Sequence, residues 1–251
     1  MRTMRHLSLL GLLALAGCHH AARVRTAPDP LVDLQNTRAL FRRGRFDKTL
    51  ILFQRLTFEL PPSDSNQAEV HYGTAESYFQ TGDLVEAAHE FRQVADAYPT
   101  SPYAPLALLR AGDANLRMWR RPELDPTPGQ DALAIYQELA GRFPGTGAAG
   151  RAQVHVRQLK DQFAEKAYKN GMFYLKRGAY DSAIIYFKDV IASYPEAART
   201  VDALFRLAEI YRTIRYTDEF KETCDHLQRY YPRARGLAVL CPAPTTSAAT
   251  P

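Results

Sequence analysis

The sequence predicts an all-α chain, a superhelical solenoid of about five helix–turn–helix repeats. Three observations predict it. Residues 166–195 hold two amphipathic patterns joined at Gly178. Apolar or small residues recur three and four apart, at Ala167, Gly171, Tyr174 and Leu175 and then at Ala183, Ile184, Phe187, Val190 and Ile191. Glycine accepts the left-handed cap that ends the first helix, and Pro195 lacks the N–H needed to continue the second. The same turn-to-stop interval of 17 residues recurs from Gly44 to Pro61, Gly82 to Pro99 and Gly178 to Pro195. On this ruler the second helices align an aromatic site (Phe53, Phe91, Phe187) and a small site (Thr49, Ala87, Ala183), and the first helices align Leu40, Tyr78, Tyr174 and Tyr211. A repeat of this size with small residues at helix crossings is the tetratricopeptide (TPR) pattern.

Taken in order, the chain opens with Arg2 and Arg5, an apolar run from Leu7 to Ala16, and Leu15-Ala16-Gly17-Cys18. The run is too short to span a bilayer, so residues 1–17 read as a secretory signal. The cysteine after Leu-Ala-Gly resembles a bacterial lipobox, which implies cleavage before Cys18 and its acylation. Residues 18–30 then form a tether, and 31–236 the repeat domain. Repeats one and two follow the Gly44 and Gly82 turns. In repeat three, Trp119 stands where the turn glycine belongs. Its stop, Pro144, comes 25 residues later, an insertion of 8 rich in proline and aspartate (Pro122, Asp125, Pro126, Pro128) that lengthens the turn. The stretch from Gly147 to Lys176 has no internal proline and reads as one long helix bridging repeats three and four. In repeat five, counting 17 back from Pro232 lands on Arg215, where the turn glycine is lost. Residues 237–251 read as a disordered tail, without apolar period from about Pro242.

Cys224 falls on the second-helix aromatic site of repeat five and is expected to be buried. Two readings of it stay open. In an oxidising compartment Cys224 and Cys241 pair and pin the C-terminal segment onto repeat five, or Cys224 is a small core residue and Cys241 a free thiol.

No catalytic constellation is present. The 7 histidines are scattered, there is no His-x₃-His, His-Glu-x-x-His or Cys-x-x-Cys, and neither a metal nor another cofactor is expected. Gly145-Thr146-Gly147 lacks phosphate-loop spacing and reads as an inter-repeat turn. Without Arg2 and Arg5 the chain carries 30 basic against 27 acidic residues, too balanced and interspersed for nucleic-acid binding.

Lipobox, tether and five repeats together resemble the BamD family of lipoproteins of the outer-membrane β-barrel assembly machinery. The telling segments are Tyr98-Pro99-Thr100-Ser101-Pro102-Tyr103-Ala104, Arg142-Phe143-Pro144, residues 157–165, and Tyr174-Leu175-Lys176-Arg177-Gly178-Ala179-Tyr180. Residues 60–64, the third-repeat insertion and the C-terminal tail depart from the family pattern. The resemblance implies a non-catalytic scaffold, anchored in the outer membrane by lipid and facing the periplasm. It implies partners as well: the POTRA domains of the barrel-forming assembly protein, other assembly lipoproteins, and unfolded outer-membrane proteins. The alternative is another periplasmic TPR lipoprotein, a protease adaptor or a cell-envelope or division coordinator. A helical-repeat cell-wall hydrolase would need a pocket carboxylate or nucleophile that the sequence does not offer.

Two surfaces are expected to bind. The repeat ruler points the first-helix residues Arg38, Phe41 and Arg42, then Tyr72, Glu76, Phe79 and Gln80, then Asp113 and Arg117 into the concave face. Phe41, Tyr72 and Phe79 would take the terminal aromatic ring of a barrel substrate, and Arg42 or Arg117 its carboxylate. The competing reading is that these aromatics pack one repeat on the next. In the C-terminal half, Arg206, Arg212, Arg215 and Tyr216 are expected to dock a partner domain, since Arg and Tyr are enriched in hot spots. A solvated basic face is the alternative there.

Overall fold

A computed structural model describes residues 29–120 and 125–242. Cys18, the signal before it, the tether as far as residue 28, Pro122 of the insertion and the tail from residue 243 lie outside them. Ten helices alternate as first and second members of five pairs: α1 (Pro30–Arg42) with α2 (Phe46–Glu59), α3 (Gln67–Thr81) with α4 (Leu84–Ala97), α5 (Tyr103–Met118) with α6 (Thr127–Arg142), α7 (Gly147–Leu175) with α8 (Tyr180–Ser193), and α9 (Arg199–Ile214) with α10 (Thr217–Tyr230). A single turn, α11 (Leu237–Leu240), follows. Each helix packs on its neighbours in sequence, and the first helices also touch along the array, α3 on α5, α5 on α7 and α7 on α9. That is the TPR-like solenoid.

The turns follow the ruler. Gly44, Gly82 and Gly178 have φ of 70°, 99° and 72°. Arg215, at the position of the lost glycine, holds the same left-handed conformation with φ 62°, and is the one non-glycine residue with positive φ among those described. Trp119 does not take this conformation: its φ is −76°. The insertion removes the need for a tight turn, and the indole becomes a plug instead. It is buried, its Nε1–H donates to the Asp125 carbonyl (2.9 Å), its ring lies 5.1 Å from Phe163, and Gly129 faces it with no room for a Cβ.

Each pair crosses where a small first-helix residue meets a large second-helix one. A Cβ on Gly112 would come within 2.5 Å of the Tyr136 ring, and one on Gly171 within 2.7 Å of Phe187. Both rings are fully buried. Where the register puts Phe91 or Cys224 opposite, alanine suffices (Ala75, Ala208). Pro30 starts α1 one residue inside the stretch read as tether, with the Asp29 side chain accepting from Leu31 N–H. Thr146 caps the long α7 by accepting from Ala149 N–H.

One boundary differs from the sequence reading. Residues 237–241 are not tail: α11 buries Leu237 and Leu240 with Cys241, against Leu204, Ala208 and Leu227. Three apolar residues at helical spacing close the exposed end of the last pair, a signal submerged in the surrounding Ala/Pro/Thr composition. Cys241 is joined to Cys224 by a disulfide (Cα–Cα 5.5 Å), and its carbonyl accepts from Gln228 Nε2 at 3.0 Å. No helix among the described residues is long and apolar enough to cross a membrane.

Candidate partner-binding surfaces

The first helices carry a chain of ion pairs from repeat to repeat. Arg38 on α1 forks onto Glu69 of α3 (Nε 2.5 Å, Nη2 2.6 Å) and reaches Asn66 at 3.2 Å. Arg110 on α5 forks onto the buried Glu76 of α3, with Nε at 2.8 Å, and holds Asp113 at 3.1 Å. Tyr136 on α6 donates to the other oxygen of Asp113 at 2.7 Å, which together with burial pushes its hydroxyl pKa up. Arg199 on α9 pairs with Glu165 of α7 and with Asp202. Charge-assisted, bidentate bonds of this kind fix geometry more firmly than single contacts.

Around this chain the expected groove residues separate. Phe79 lies between two arginines: the Arg110 guanidinium sits 3.9 Å from its ring centroid and that of Arg117 5.2 Å away, while Arg117 donates to the Phe79 carbonyl at 2.9 Å. Phe79 and Arg117 are thus brought together. Tyr72 packs between repeats, 5.4 Å from Phe91 and 5.2 Å from Tyr103. Burial, with the charge of Glu76 adding, pushes its hydroxyl pKa up to about 12. Phe41 meets Phe46 and Phe53 edge-on at 5.4 and 5.8 Å. Arg38 is occupied by Glu69, whereas Arg42 is exposed at the end of α1. Gln80 donates back to Glu76 at 2.7 Å.

Arg110 is not among the groove residues expected from the sequence, although the sequence carries a signal for it. Glu76 and Arg110 are 34 residues apart, as are Glu165 and Arg199, and each arginine has an aspartate three residues on. Both spacings fall one helix turn short of the distance of 37 between repeat turns (Gly82 to Trp119, Gly178 to Arg215), so an acidic residue on one first helix meets the arginine one turn earlier in the register of the next.

In the C-terminal half, Arg212, Arg215 and Tyr216 come together, exposed, at the α9–α10 turn, with Tyr216 stacked 6.3 Å from Tyr211. Arg206 stands more than two turns earlier, half-buried. It donates to Tyr168 Oη at 3.4 Å and pairs with Glu209 at 2.7 Å. Among the described residues no group of His, Cys, Asp and Glu is arranged to hold a metal ion.

A family profile described as "YfiO: Outer membrane lipoprotein" matches residues 37–227, from the first helix of the array to the last helix pair. The chain belongs to the YfiO outer membrane lipoprotein family. Relatives named "Outer membrane protein assembly factor BamD" include one from Caulobacter vibrioides, 27% identical over 91% of this chain and 76% of that protein. One from Vibrio cholerae is 24% identical over 90% of this chain and 98% of its own length. Among solved structures, a thermophilic TPR protein from Thermus thermophilus is 21% identical, covering 84% of this chain and 96% of its own, with a TM-score of 0.39. The TPR2AB domain of yeast Sti1 in its pHSP90 complex is 12% identical, covering 84% of this chain and 81% of its own, with a TM-score of 0.45. The YfiO match spans all five repeats, the third-repeat insertion included.

Proposed function

We propose that this chain is an outer membrane protein assembly factor: a non-catalytic, lipid-anchored scaffold on the periplasmic side of the outer membrane. The observation that carries this is the YfiO match across residues 37–227, with BamD-named relatives aligned over nine-tenths of the chain. Acylated Cys18 and the short tether hold the array at the membrane. The C-terminal half docks the POTRA domains of the barrel-forming assembly protein, with Arg212, Arg215 and Tyr216 as the exposed contacts, while Arg206, bonded to Tyr168 and Glu209, joins α9 to α7. The N-terminal repeats receive unfolded outer-membrane proteins. There Phe79, with the Arg110 guanidinium on its ring and Arg117 beside it, and the exposed Arg42 are the contacts. Phe41, Tyr72 and Arg38 hold the wall in shape. Other assembly lipoproteins complete the set of partners. The reading of the chain as a different periplasmic TPR adaptor predicts the same fold but no effect on barrel proteins.

Depletion of the chain in its own host tests this. The proposal predicts that folded, heat-modifiable barrel proteins disappear from the outer membrane while inner-membrane and periplasmic proteins persist. Unchanged barrel levels after depletion would exclude it.

A further inference from the structure

Solenoids usually finish each end with a polar outer face. The N-terminal end of this one does not. Phe58, near the end of α2, is 89% exposed, and Leu31 and Val32, in the first turn of α1, are 48% and 52% exposed. The helices run antiparallel, and the ion pair of Arg55 with Asp33 fixes these ends side by side. Leu31 is two residues before Asp33 and Phe58 three after Arg55, so the three apolar side chains share one end of the pair. Arg55 also pairs with Glu59 at 3.2 Å, and the Asp29 carboxylate at the start of α1 is held by the Leu31 N–H, so the charges bordering this surface are hydrogen-bonded within it. The exposed basic residues Arg42, Arg43, Arg45 and Lys48 lie at the opposite end of the two helices.

The chain outside the structure says what lies opposite this surface. Cys18 is 12 residues before Pro30. A segment of that length reaches at most about 40 Å. The acylated cysteine therefore keeps the first turn of α1 close to the bilayer, and it is this end, not the basic one, that it holds there. Aromatic and aliphatic side chains at the tip of a tethered helix pair suit the zone between headgroups and acyl chains.

We propose that the surface of Leu31, Val32 and Phe58 rests in the interfacial region of the phospholipid leaflet that carries the anchor, so that the array stands on its first repeat. This rests on the lipid-anchor reading given above. The contact is apolar: its strength is insensitive to salt and needs no anionic lipid.

The test uses the full acylated chain carrying Phe58→Cys. With Cys18 acylated and Cys224 bonded to Cys241, the new thiol is the one available to an environment-sensitive fluorophore. Ile185→Cys on α8, a residue 66% exposed, serves as the control. On reconstitution into egg phosphatidylcholine vesicles, the label at 58 shifts to the blue and is shielded from dithionite, and the label at 185 is not. In the unacylated Cys18→Ala chain, Phe58→Ser lowers vesicle partition by about tenfold or more, the factor set by removing a phenyl ring from an apolar phase. Acylated protein that floats with vesicles while its label at 58 stays water-like overturns the proposal and leaves the anchor standing. Protein that fails to float overturns both. A blue shift that grows with protein concentration in the absence of vesicles assigns the surface to self-association and overturns it as well.

Discussion

Arg215 is the one described non-glycine residue held at positive φ, at the repeat turn whose glycine is missing. For an L-residue with a Cβ the left-handed conformation costs about 1–2 kcal/mol. Replacing Arg215 with glycine removes that strain. The replacement also loosens the unfolded chain, which offsets about 0.5–1 kcal/mol. The balance is a net stabilisation of about 0.5–1 kcal/mol. The reverse change is available in the same protein. Gly178 has φ 72°, and a Cβ built there meets nothing within 4 Å. Gly178→Ala therefore destabilises through conformation alone, by about 1 kcal/mol, and Gly178→Val by more, because a β-branched side chain tolerates positive φ least. For a domain of this size a change of about 1 kcal/mol shifts Tm by roughly 2–4 °C. Urea titration followed by circular dichroism reads both variants, and the midpoint rises for Arg215→Gly and falls for Gly178→Ala. If Arg215→Gly lowers the midpoint as Gly178→Ala does, the register of repeat five and the strain argument built on it are wrong.

Other outcomes follow from the same geometry. Ala183 is fully buried between α7 and α8, so Ala183→Phe overpacks the pair and lowers stability by about 1–3 kcal/mol or more in the same titration. The Cys224–Cys241 disulfide closes a loop across a sequence separation of 17. By chain entropy, Cys224→Ser or reduction with dithiothreitol costs about 3 kcal/mol, read as a lower urea midpoint with early loss of protection at α11. The hydrogen bond from Arg199 holds the Glu165 carboxyl below its usual value of 4.5. A depressed folded pKa contributes stability above the unfolded value that is lost as pH falls through the folded one, so Glu165→Gln flattens the acid limb of the stability–pH curve. Phe79→Ala combined with Arg42→Glu weakens binding of a C-terminal barrel peptide, read by fluorescence anisotropy, and leaves helicity unchanged. Equal affinity would remove that face from the receiving site.

Much of the architecture was legible because backbone punctuation is local. A glycine that needs positive φ and a proline that cannot donate mark three of the five turns by residue type. Their fixed interval therefore located Arg215 as a turn residue, and the absence of proline from 147 to 176 revealed α7. The concave face was harder to read. Position in the register says that a side chain points inward, but not whether a neighbour already holds it. Tyr72 and Arg38 both point along the first-helix face, yet Tyr103 covers one and Glu69 neutralises the other. Arg110, which packs on Phe79, is set by an ion pair to Glu76 on the preceding first helix, and such a pair leaves no mark in the apolar pattern that defines the repeats. The α11 turn was hidden for a related reason: four residues carry too little period to stand out, and their burial depends on Leu204 and Ala208 of α9 and Leu227 of α10, which only the folded chain brings near.

The proposed role of this array is that of a scaffold for assembling barrel proteins at the outer membrane. Affinity capture of the acylated chain from detergent-solubilised outer membranes tests it most directly. A scaffold of this kind brings down a large β-barrel protein with periplasmic POTRA domains with the wild-type chain, and Arg212→Glu with Arg215→Glu releases it while the circular dichroism spectrum stays helical. Recovery of a protease or a division protein in place of any barrel protein would contradict it.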